Sequence, residues 1–84
     1  MKENVRIGLV GFGTVGKGVY DVITGNKAVI EERTGLKCEI SMICDLRVDD
    51  VKAQVDSSVI VTDDWKSIAS NSEIDTVVEL IGGV

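Results

Sequence analysis

Short apolar runs alternate along this chain with stretches whose apolar residues recur at helical spacing. Val5 to Val10, VRIGLV, is one such run; it is closed by a glycine, Gly11, and predicts a buried strand. From Thr14 the period changes. Val15, Val19, Val22 and Ile23 fall at helical spacing and predict one apolar helix face. Thr24-Gly25-Asn26 predicts an interruption. A second helical stretch then runs from Lys27 to Arg33 and stops at Thr34-Gly35, with Gly35 suited to the left-handed position beyond a helix end. Lys37 to Cys44, KCEISMIC, reads as strand two, with Cys38, Ile40 and Met42 on one side and Ile43 on the other. Residues 45–57 are polar and acidic, with room for one weak helical turn. Val59 to Thr62 is a short third strand, and Asp63 or Asp64 can cap a helical turn in WKSIAS. Ile74 to Ile81, IDTVVELI, is a fourth strand, punctuated by Gly82-Gly83.

This order, β-α-β, a loop or short helix, then β-α-β, predicts an α/β fold with a parallel sheet covered on both faces. It fits a partial Rossmann-type, doubly wound sheet of about four strands. No repeat, low-complexity tract or linker interrupts it, and there is no proline. The last predicted strand is left without a covering element. Residues 1–84 are therefore expected to be the amino-terminal part of a larger domain, cut short before any substrate domain. The bare edge is expected to favour self-association.

Composition narrows the function. With 44% hydrophobic and 27% charged residues the chain is globular rather than disordered. The net charge is −5 and no two basic residues are adjacent, which argues against a nucleic-acid partner. No apolar run approaches the ~20 residues of a membrane span, and the start lacks the features of a cleaved signal peptide. A soluble, cytoplasmic protein is expected. The chain has no histidine, which excludes His-ligated metal sites and Ser-His-Asp chemistry within it. Cys38 and Cys44 share one strand about 20 Å apart, too far for a disulfide, and read as small buried residues.

The candidate chemistry lies in GLVGFGTVGKGVY, residues 8–20. Gly11, Gly13 and Gly16 spell the G-x-G-x-x-G of a dinucleotide site between a strand and a helix, the context the motif requires. The first glycine permits the tight turn, the second lets backbone approach the pyrophosphate, and the third lets helix and strand pack closely. The helix start then offers free N–H groups and partial positive charge to the phosphates. Gly11, Gly16 and Lys17 also spell most of a triphosphate-binding P-loop, but Gly18 stands where that motif needs a magnesium-binding hydroxyl. Asp45, at the end of strand two, is placed to bind the adenosine ribose and favours NAD. Arg47 could instead accept a 2′-phosphate and favour NADP. The choice of coenzyme stays open.

In GLVGFGTVGKGVY, EERTG and VVELIGG, taken in that order, the chain closely resembles the amino-terminal part of homoserine dehydrogenases. The resemblance runs from Val5 to the last residue. It implies the NAD- or NADP-linked interconversion of L-aspartate 4-semialdehyde and L-homoserine, on the route to threonine, methionine and isoleucine, by a cytoplasmic homo-oligomer. By position it puts Phe12, Gly13, Thr14 and Val15 along the pyrophosphate, and Ile81, Gly82 and Gly83 near the nicotinamide. Members commonly carry a basic residue before the aspartate that ends strand two; here it is Cys44. The family's substrate pocket, catalytic lysine and aspartate, and alkali-metal site belong to segments beyond residue 84. Lys17, Lys52 and Lys66 therefore take no catalytic role, no metal site is expected, and the chain alone is expected to be inactive. Two other readings stay open: a stand-alone nucleotide-sensing Rossmann module, and another semialdehyde or imine reductase with the same loop.

Overall fold

The computed structural model describes residues 3–80; Ile81, Gly82 and Gly83 lie outside them. Four strands form one all-parallel sheet: β1 (Glu3–Val10), β2 (Leu36–Cys44), β3 (Ile60–Thr62) and β4 (Thr76–Glu79), in the order β3-β2-β1-β4. Between them run α1 (Thr14–Gly25), α2 (Lys27–Thr34), α3 (Val48–Lys52) and α4 (Trp65–Ala69). The fourth strand is shorter than the run Ile74 to Ile81 predicted: Ile74 precedes it and packs into the core.

The sheet separates two apolar clusters. On one face Ile7, Leu9, Phe12, Tyr20, Ile40, Ile43 and Val51 are buried together, joining β1 and β2 to α1 and α3. On the other, Val10, Met42, Cys44 and Ile68 pack beneath α4. The chain thus returns over the opposite face between β3 and β4, and the strand order reverses beside β1. Ligand crevices of open α/β sheets form at such a reversal, outside the carboxyl ends of the strands.

Two of the predicted faces are corrected. Met42 does not share a side with Cys38 and Ile40. The β1–β2 register slips between Ile7 and Gly8, which pair with Ile40 and Met42, leaving Ser41 as an extra residue. That bulge resets the alternation, so Met42 and Cys44 join the α4 face while Ile43 joins Ile40. The two free cysteines consequently both lie in β2 but serve opposite faces of the sheet.

On α1 the buried stripe is Gly16, Val19, Tyr20 and Ile23, whereas Val15 and Val22 are 63% and 60% exposed. Only three residues separate β1 from α1, and Gly16 sits against the Gly11 carbonyl. This contact sets the rotation of the helix about its axis, which a count of valines cannot register. The Tyr20 ring meets Phe12 edge-on at 5.9 Å, and its hydroxyl accepts the Asp56 N–H at 2.9 Å.

The predicted punctuation holds. Asn26 separates α1 from α2 and its side chain donates to the Val22 carbonyl. Gly35 closes α2 at φ 77°, where a side chain would be strained. Of the two candidate caps for α4, Asp64 is the one used: its carboxylate accepts the Lys66 N–H at 3.0 Å.

Candidate functional site

Gly11, Gly13 and Gly16 have three different surroundings. Gly11 turns the chain out of β1 with φ 108°, and its N–H donates to the Cys44 carbonyl at 2.8 Å, holding the turn against the end of β2. A side chain at Gly16 would place its β-carbon 2.4 Å from the Gly11 carbonyl oxygen. Gly13, by contrast, has nothing within 4 Å of the position a β-carbon would take. One glycine is needed for the turn, one for close packing, and one leaves open space at the helix start.

That start has no side-chain cap and no acidic residue in its first turn. The first hydrogen bond of the helix runs from the Lys17 N–H to the Gly13 carbonyl, so the Thr14, Val15 and Gly16 N–H groups have no carbonyl a turn earlier to use. Thr14 and Val15 are exposed. Phe12 differs: its ring is buried in the core, leaving only its backbone near the loop surface. Lys17 pairs with Asp21 at 2.9 Å along the exposed side of α1. With α1 already begun at Thr14, the loop is short for a P-loop, and Lys17 is engaged on the helix surface instead of over a phosphate.

The ends of all four strands converge here. The Asp45 N–H donates to the Thr62 carbonyl, and the Leu80 N–H to the Val10 carbonyl. The Asp45 carboxylate reaches across to the glycine loop, where one oxygen accepts the Phe12 N–H at 2.9 Å. The other accepts the Arg47 N–H at 2.8 Å and Nε at 3.1 Å. Arg47 Nη2 adds a contact at 3.3 Å to the first oxygen, and stands 3.5 Å from the Phe12 carbonyl. Around this pair opens a cavity of about 550 Å³ lined also by Val10, Cys44, Leu46, Asp63 and Trp65. An adjoining recess of about 480 Å³ continues over Val10, Trp65, Ala69, Val77 and Glu79, on the α4 face of the sheet. Sequence reasoning missed Leu46, Asp63 and Trp65 as wall residues. The available signal was topological, since residues just past successive parallel strands meet at one sheet end.

Hydrogen bonding by the Arg47 side chain holds the Asp45 carboxyl below the usual carboxylate range, against the opposing effect of burial. The N–H groups of Arg47 and Phe12 add to this lowering. Burial, reinforced by Asp45, Asp64 and Asp63, pushes the Cys44 thiol up, so it stays protonated at neutral pH. Because the folded value of Asp45 is the lower one, its stabilising effect is present above the unfolded carboxylate range near ~3.9 and is lost as pH falls through the folded value. Urea titrations at pH 7 and pH 3 should show a larger loss of stability in the wild type than in Asp45→Asn. Equal losses would mean that the linkage to Asp45 is absent.

Among the described residues no helix is long and apolar enough to cross a membrane, and no group of three or more Cys, Asp or Glu is placed to hold a metal ion.

No family model matches the chain. Individual proteins do. A homoserine dehydrogenase of Methylobacillus glycogenes is 40% identical over 79 residues, covering 94% of this chain and 19% of the relative. One of Helicobacter pylori is 38% identical over 84 residues, covering all of this chain and again 19% of the relative. Among solved structures, a homoserine dehydrogenase from Thiobacillus denitrificans superposes with a TM-score of 0.84 at 32% identity, over 98% of this chain and 19% of that one. That of S. aureus gives 0.78 at 27% identity, over 100% and 21%. The chain spans about a fifth of the length of the curated relatives it matches, corresponding to their amino-terminal region.

Proposed function

This chain belongs to the homoserine dehydrogenase family, and we propose that it supplies the dinucleotide-holding part of such an enzyme, residues 1–84 forming the amino-terminal part of the NAD(P)-binding domain. The complete enzyme would interconvert L-aspartate 4-semialdehyde and L-homoserine. The carrying observation is the division of labour among the three glycines: a left-handed turn at Gly11, backbone contact at Gly16, open approach at Gly13.

The pyrophosphate would lie against Gly13 and the start of α1, where the Thr14, Val15 and Gly16 N–H groups donate and the helix end contributes partial positive charge. Phe12 lines the inner side of the loop: its N–H is held by Asp45, and its ring, edge-on against Tyr20, keeps the loop in shape. The adenosine half would enter the cavity between Asp45, Arg47 and Trp65. By the family resemblance, Ile81, Gly82 and Gly83, outside the described residues, would serve the nicotinamide end of the coenzyme. The bound coenzyme supplies the hydride acceptor or donor, NAD or NADP. The described residues of this chain would orient it, and none of them is assigned the role of acid, base or nucleophile. Alone, the chain would bind coenzyme without turning over substrate.

Homo-oligomer formation and a cytoplasmic location complete the proposal. Both draw on the family membership.

The test is amide NMR of the labelled chain during separate titrations with NAD, NADP and Mg-ATP. Shifts centred on Gly11 to Val15 with a dinucleotide but not with Mg-ATP are expected. A dispersed spectrum that ignores both dinucleotides at millimolar concentration would remove the proposed role.

A further inference from the structure

Asp45 stands where a Rossmann carboxylate accepts the two ribose hydroxyls of adenosine, but its acceptor capacity is already spent. An ionised carboxylate offers about four lone-pair sites, and four N–H groups converge on this one: Phe12 N, Arg47 N, Arg47 Nε and Arg47 Nη2. The Arg47 side chain makes two of these bonds, and such a planar two-point pair is geometrically selective. Arg47 is also the only basic residue among the described residues that line the cavity, while Asp63 is a second carboxylate in its wall. Asp64 stands next in sequence, its carboxylate capping α4. A coenzyme with a 2′-phosphate would bring further negative charge to a wall of two carboxylates whose one cation is committed to one of them. A free ribose diol brings no charge. It needs only the acceptor sites that Arg47 fills.

We propose that the Asp45–Arg47 pair selects the coenzyme: by keeping Arg47 on its own carboxylate, Asp45 withholds the cavity's cation from a 2′-phosphate, so that the site takes NAD over NADP and exchanges Arg47 for the ribose hydroxyls on binding. This rests on the dinucleotide reading above. Arg47 acts as an internal competitor for the diol and as a latent phosphate ligand, released when Asp45 loses its charge.

Titration of NAD and of NADP, followed by Trp65 fluorescence in the wall of the same cavity, tests this on the whole chain. The wild type should bind NAD roughly tenfold more tightly than NADP, the scale of one or two charge-assisted hydrogen bonds. Arg47→Ala should tighten NAD several-fold although it removes a positive charge from an anion site, and leave NADP unimproved. Asp45→Asn keeps an oxygen for the Phe12 N–H but removes the charge. It should weaken NAD about tenfold and tighten NADP several-fold, a gain that the double variant loses. The Arg47 side chain is 58% exposed, so Arg47→Ala carries the test even if Asp45→Asn unfolds. Wild-type preference for NADP, weaker NAD binding in Arg47→Ala, or an NADP gain that survives in the double variant would each overturn the proposal. Those results leave the dinucleotide reading standing. Failure of every variant to bind either coenzyme removes both.

Discussion

Gly16→Ala is expected to lower the melting temperature by roughly 5–15 °C and to abolish measurable dinucleotide binding. The added β-carbon would stand 2.4 Å from the Gly11 carbonyl oxygen and 3.1 Å from its carbonyl carbon, and both belong to backbone. No rotamer change relieves such a clash, so α1 must move away from β1 or the Gly11 turn must open. Overpacking of this kind costs about 1–3 kcal/mol, and here the better helix propensity of alanine offsets no more than ~1 kcal/mol of it. The function suffers more than the fold, because the displaced parts are the turn and the helix start that would cradle the pyrophosphate. Gly18→Ala is the matched control: same helix, same substitution, nothing within 4 Å of the new β-carbon. It should stabilise by about 0.5–1 kcal/mol and leave binding intact. Thermal melts and calorimetric titration of the two variants give opposite signs if helix–strand contact is the reason for the third glycine. A stable, coenzyme-binding Gly16→Ala would defeat that account.

Leu9→Ala should cost about 3 kcal/mol, a large share of the ~5–15 kcal/mol that holds a typical domain together. Leu9 is fully buried near the carboxyl end of β1, the strand between β2 and β4, paired with the equally buried Ile43 on β2 and with Val78 on β4. Removing its branched end opens a void in the cluster that includes Phe12 and Tyr20, two residues from the Gly11 turn. In urea the midpoint should fall with the slope unchanged, as expected for lost packing in an otherwise intact fold. Val77→Ala, on the edge strand and 47% exposed, should stay within about 0.5 kcal/mol of the wild type. Comparable losses at both positions would mean that the core is not centred on β1.

Much of this architecture is legible in the residues because short-range physics carries it. The VRIGLV run, the Thr24-Gly25-Asn26 break, Gly35 at a left-handed φ and an aspartate cap on WKSIAS are each dictated by a few neighbouring groups. The candidate loop is legible for the same reason: three glycines at set spacing after an apolar strand constrain the backbone locally. Its immediate partner is only half legible. Asp45 can be placed at a strand end from its sequence, but its hydrogen bond to the Phe12 N–H spans 33 residues and exists only because β1 and β2 lie side by side.

The same boundary separates the errors. Alternation along KCEISMIC puts Met42 with Ile40, yet the slip in pairing with β1 moves it to the other face, since register belongs to two strands and not to one. A valine count puts Val15 and Val22 inward, yet contact between Gly16 and Gly11 rotates them out. The amino-acid order by itself determined the elements, the parallel α/β class and the glycine turn, because those follow from dihedral preferences and periodicity within a few residues. The tertiary structure alone decided which faces are buried, which walls complete the cavity, and that Arg47 occupies Asp45, because these depend on groups distant in sequence being held within hydrogen-bonding or van der Waals reach.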